Sequence, residues 1–185
     1  AQHDPNLVRV YLDAQHDYLH DRVYLLAALV VPSRDGVEDG SGRRAVVRLA
    51  HGIPDDSAAE EALFVRWIQD TVAAIVESAA PDAAGEKNAP IHLIFYNRFA
   101  QRVLLDGLAR HARQVFGATP LYDFVTQIAA FDSPIVSYLD EEIRERRNFP
   151  MVCQSLQSVS AYLGFAWNEP LPYRKLINTR LFDSQ

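Results

Sequence analysis

Asp13 and Gln15 stand two residues apart in "VYLDAQH", and their spacing is the first chemical clue in the chain. Side chains two residues apart on a strand share a face. Metal-dependent nucleases use paired carboxylates to bridge two Mg²⁺ or Mn²⁺ ions about 3.5 to 4 Å apart. Asp13 ends an apolar strand, where such an acid belongs. Gln15 keeps an amide oxygen but no charge, and Mg²⁺ prefers carboxylate. Asp17 and Asp21 follow in a polar stretch, 13–21, that reads as a turn, where capping is the ordinary role of Asp. His16 and His20 are four apart, a spacing that suits a metal on a helix and not in a turn.

The elements that would position these residues are legible from periodicity. Residues 7–12 and 22–31 read as strands, and 44–50 as a third, beyond the turn-rich "PSRDGVEDGSG". Together they predict an antiparallel meander. Ser57 is then an N-cap candidate with Glu60 three residues on, the pattern of a capping box. Leu63, Phe64, Trp67, Ile68, Val72 and Ile75 follow at helical spacing. "IHLIFYN" reads as a buried strand and 98–117 as one helix closed by Gly117. "TPLYDFVTQIAAF" predicts a further helix, 132–150 a mixed stretch ending in charged helical turns, and 153–165 a helix stopped by Gly164. Three strands, a crossover helix, a strand and then helices predict one α/β domain, a mixed sheet covered by helices, over 1–185.

That order is the order of the RNase H-like fold, and particular segments sharpen the resemblance. "DRVYLLAALVV", "IHLIFYNRFAQRVLLDGLARH" and "CQSLQSVSAYLGFAWN" resemble the DEDD-type 3′–5′ exonuclease domains of RecB-type nuclease–helicase proteins. The resemblance runs over most of the chain. It implies an RNase H-like sheet, a Mg²⁺ or Mn²⁺ centre, DNA as substrate, and nuclease or helicase domains of the same polypeptide as partners. It places Asp13 as the first acid and metal ligand, Gln15 at the second acidic position, and Asp123 at the start of a helix beside the site. Asn97, Arg98 and Arg102 fall at the strand-to-helix junction where nucleic acid would lie. The family's next carboxylate belongs three or four residues after that junction, where this chain has Ala100 and Gln101; Asp106 is two turns down the helix. Tyr173 and Asp183 are too far apart to supply the last motif. The resemblance therefore implies descent from a nuclease with an impaired site. An active enzyme with a site rebuilt from Asp13, Asp17, Asp123 and Asp183 is the alternative, and a protein-interaction module that binds no nucleic acid is another.

Charge and composition narrow the field. The 185-residue chain carries a net charge of −6, which argues against broad electrostatic capture of nucleic acid but leaves room for a local basic groove. Arg144, Arg146 and Arg147, with Arg98, Arg102, Arg110 and Arg113, are the candidates for one; a solvated face with Glu141, Glu142 and Glu145 as partners is the competing reading. The single cysteine, Cys153, precludes an internal disulfide and fits a reducing, cytoplasmic setting. No apolar run reaches membrane-spanning length, so no membrane association is expected. The opening "AQHDPNL" suggests a domain of a longer polypeptide.

Overall fold

The computed structural model describes residues 4–50, 56–82, 84–87, 89–118, 133–147, 149–151 and 154–165. Strands β1 (Val8–Asp17) and β2 (Arg22–Arg34) form a long hairpin. Short β3 (Val37–Glu38) and then β4 (Arg44–Leu49) pair with β2. Helix α1 (Ser57–Ser78) crosses to β5 (Ile91–Phe95), which leads into α2 (Arg98–Arg110) and α3 (Ala112–Ala118). Strand β6 (Val136–Tyr138) passes into a short α4 (Leu139–Glu142), a π turn (Ile143–Arg147) and, further on, α5 (Leu156–Tyr162).

The main sheet runs β4-β2-β1-β5-β6. β2 is antiparallel to both β1 and β4, whereas β1, β5 and β6 are parallel. The fold is thus α/β, with a mixed sheet covered by helices. Alternation along β1 explains its two faces. Val8, Val10, Leu12 and Ala14 are buried and join Leu63, Phe64, Trp67, Ile68, Leu104 and Leu108 in one core. Arg9, Tyr11, Asp13 and Gln15 point to the opposite face. No helix among the described residues is long and apolar enough to cross a membrane.

Several boundaries differ from the sequence expectation. β1 does not end at Asp13 but continues to Asp17, so 13–21 is not a turn throughout. The ladder to β2 carries on from Asp13 opposite Ala27 to Asp17 opposite Arg22, interrupted only by a bulge between Gln15 and His16. Backbone pairing, with Ala14 still feeding the core, overrides the polar composition. The N-cap of α1 is Asp56, not Ser57: its carboxylate accepts the Ala59 N–H at 2.8 Å. Residues 98–117 form two helices because the chain breaks at His111 (φ −109°, ψ 19°), and Gly117 lies within α3. β6 was not separable from its apolar surroundings in the sequence. The helix expected over "TPLYDFVTQIAAF" lies outside the described residues.

Candidate functional site

Asp13 lies one residue beyond the last β1–β5 pair, Leu12 with Phe95, at the carboxyl end of the parallel ladder. Ligand sites of open α/β sheets form at this end. Gln15 shares its face and donates its amide Nε2–H to Asp13 Oδ2 at 2.9 Å. The pair expected from the sequence is thus brought together, but as a carboxylate held by an amide. The donor occupying the carboxylate is a neutral N–H where a second anion would have to stand for two cations to be shared.

The other expected acids divide in three ways. Asp17 is used up by the hairpin turn: it accepts from Leu19 N–H at 3.0 Å and lies 2.5 Å from His20 Nδ1. Asp21, in the left-handed region at φ +51°, pairs with His16 Nε2 at 2.9 Å and faces Arg110 at 3.6 Å. The His20 hydrogen bond, then the Leu19 N–H, hold the Asp17 carboxyl below its ordinary pKa. The His16 hydrogen bond and then the Arg110 charge do the same for Asp21. Each histidine of the i, i+4 pair is therefore matched to an aspartate, while Tyr18 and Leu19 at the tip stay exposed. Asp106 pairs with Arg102 at 3.6 Å on the exposed side of α2. Asp123, Tyr173 and Asp183 lie outside the described residues.

At the strand-to-helix junction, Asn97 is the N-cap of α2, its Oδ1 accepting the Ala100 N–H at 2.9 Å. Ala100 and Gln101 both face the core. Gln101 is fully buried, and its Oε1 accepts the Tyr138 hydroxyl at 2.5 Å, tying α2 to β6. Arg98 reaches Glu141 at 2.7 Å and lies over the Tyr138 ring, 4.6 Å from its centroid. Arg144 pairs with Asp140 at 3.4 Å and Arg146 with Glu142 at 3.2 Å. These arginines form a charge-balanced surface. Arg110 departs from the expected groove altogether, because it reaches back to Glu60 at 2.8 Å.

Two groups escaped the sequence reading. Glu60 is no capping-box residue. It is fully buried, accepts the Val23 N–H at 2.8 Å, and is surrounded by Arg110, His111 (3.0 Å) and Arg22 (3.7 Å). Burial pushes its carboxyl up, but the hydrogen bonds from Arg110, Val23 N–H and His111 outweigh that and hold the pKa below its ordinary value. The available signal was its position three and four residues before Leu63 and Phe64, on the apolar stripe of α1. The second is Asp140, whose backbone N–H donates to Tyr96 O at 2.9 Å and whose Oδ1 is buried without a hydrogen bond. It sits where β6 ends, level with the junction.

Among the described residues no three or more His, Cys, Asp or Glu converge as a metal-ligand group. On chemistry alone, the side chains at the expected acidic positions (the amide of Gln15, the methyl of Ala100 and the buried amide of Gln101) do not fit a two-metal centre, which needs several carboxylates. The site and the sheet define an α/β protein with a carboxylate, Asp13, on its central strand at the carboxyl end of the parallel ladder. No protein-family model matches the chain, and no curated protein is significantly similar to it.

Proposed function

We propose that the chain is an RNase H-like domain related to the DEDD-type 3′–5′ exonucleases of RecB-type nuclease–helicase proteins, with an impaired metal centre and a role in positioning nucleic acid or neighbouring domains. The observation that carries this reading is the strand order β4-β2-β1-β5-β6, antiparallel over its first three members and parallel over its last three. It agrees with the fold that the sequence resemblance implies, and Asp13 lies on the central strand at the carboxyl end of the parallel ladder. Gln15 donating to Asp13 supports impairment: the carboxylate is satisfied by an amide within its own strand.

The positioning role predicts binding of single-stranded DNA that needs no metal. Fluorescence anisotropy of a labelled oligonucleotide should report binding at low salt in the presence of chelator. Log affinity should fall linearly with log salt, as phosphate contacts release counterions. Absence of binding at low salt would remove the nucleic-acid role and leave the protein-interaction module.

A further inference from the structure

Adjacent strands place four polar side chains in a row on the face of the sheet opposite the Val8–Val10–Leu12 core: Ser33 on β2, Arg9 on β1, His92 on β5 and Ser137 on β6. Arg9 and His92 are direct partners in the parallel register. Arg9 Nη1 donates to Ser33 Oγ at 2.7 Å, and His92 Nε2 lies 2.7 Å from Ser137 Oγ. Ser33 is buried and the other three are half-buried.

Two basic side chains directly across a strand pair are an unfavourable choice unless something negative lies between them. The carboxylate nearest Arg9 is Glu38 at 3.8 Å, and Arg43 shares the same carboxylate at 3.9 Å. Neither separation is that of a hydrogen-bonded ion pair. Burial first, and the Arg9 charge second, lower the His92 pKa, with Glu142 opposing them. Tyr11, two residues from Arg9 on the same face, has its phenol pKa raised by burial and then by Glu38, so its hydroxyl remains a donor at neutral pH. The row is rich in donors and only loosely neutralised.

We propose that Arg9, His92 and Ser137 form a seat for a phosphoryl group, with the guanidinium and imidazole flanking its oxygens. An oxyanion there pairs with the Arg9 charge and favours the charged imidazole. Binding therefore takes up a proton and tightens as pH falls. Among the described residues, the groups facing His92 are Arg9 from β1, Ser137 from β6 and Glu142 from α4. Four residues of strand, about 13 Å, separate Arg9 from Asp13, so the seat is distinct from the Asp13 position and stands whether or not the nuclease relationship does.

The test is NMR titration of the His92 imidazole with inorganic phosphate, inorganic sulfate and a single-stranded oligonucleotide. Sulfate keeps its charge between about pH 5.5 and 8, so a pH effect seen with it belongs to the protein. The expected result is a saturable His92 shift, an apparent His92 pKa raised by sulfate, and affinity weakened about tenfold or more in Arg9→Gln, the scale of one charge-assisted hydrogen bond. Ser137→Ala, a milder change, should also weaken binding and serves where Arg9→Gln does not fold. Displacement of phosphate by the oligonucleotide would make a backbone phosphate the natural occupant. Phosphate binding without displacement would support a small phosphorylated ligand, leaving the seat intact while the nucleic-acid role fails. No saturable shift at about pH 5.5, where the imidazole protonates most readily, or a shift unchanged in both variants, would overturn the proposal.

Discussion

Replacing Glu60 with alanine is expected to cost about 3 kcal/mol of folding stability, read as a lowered urea midpoint. The side chain is fully buried and anchors three elements at once: the start of β2 through Val23 N–H, the end of α2 through Arg110, and the α2–α3 break through His111. Removing it leaves His111, 2% exposed, with its Nε2 unsatisfied, and the buried Val23 N–H without its acceptor. The loss stays near the lower end for a broken buried ion pair because Arg110 and Arg22, 28% and 27% exposed at their side chains, can turn to water. The pH dependence has a definite sign. A carboxylate whose folded pKa lies below its unfolded value contributes stability that is present above the unfolded pKa and lost as pH falls through the folded one. The penalty of Glu60→Gln should therefore be full at neutral pH and shrink on acidification below about pH 4.5. A penalty independent of pH would mean that the carboxylate charge contributes nothing.

Gly107→Ala is the second large effect. Gly107 on α2 faces Phe64 of α1, and an added Cβ would lie 2.1 Å from Phe64 Cζ. Phe64 is fully buried in the core and has no free path of retreat. Alanine gains about 1 kcal/mol of helix propensity over glycine, whereas overpacking costs about 3 kcal/mol, so a net loss of about 2 kcal/mol is expected. Thermal unfolding of Gly107→Ala, Phe64→Leu and the double variant checks the cause. The double variant should be more stable than the sum of the two losses. Strict additivity would place the strain elsewhere.

These two residues also show what the sequence could and could not convey. The apolar stripe of α1 was readable because Leu63, Phe64, Trp67 and Ile68 repeat at the period of a helix facing a core. The antiparallel hairpin and the buried β5 were readable for the same reason. The second half of β1 was not, because Gln15, His16 and Asp17 are strand residues by virtue of β2 beside them rather than their own preference. The break at His111 depends on Glu60, 51 residues away, and no local signal reports it. At the candidate site, the same-face pairing of Asp13 and Gln15 followed from strand period alone. Gln101 offered a signal too: it falls three residues before Leu104 and seven before Leu108, on the apolar side of α2. Glu60 resembled a cap because Ser57 precedes it by three residues; with the N-cap at Asp56 it stands four residues on, where it faces inward.

Calorimetric titration of Mn²⁺ and Mg²⁺ into the chain, with Asp13→Ala and Gln15→Glu alongside, tests most directly whether the Asp13 strand still forms a metal centre. The expected result is no saturable binding to the chain or to Asp13→Ala at about millimolar metal, and measurable binding once Gln15→Glu places a second carboxylate against Asp13. Saturable binding of two ions by the unsubstituted chain, abolished in Asp13→Ala, would contradict an impaired centre and establish a working one.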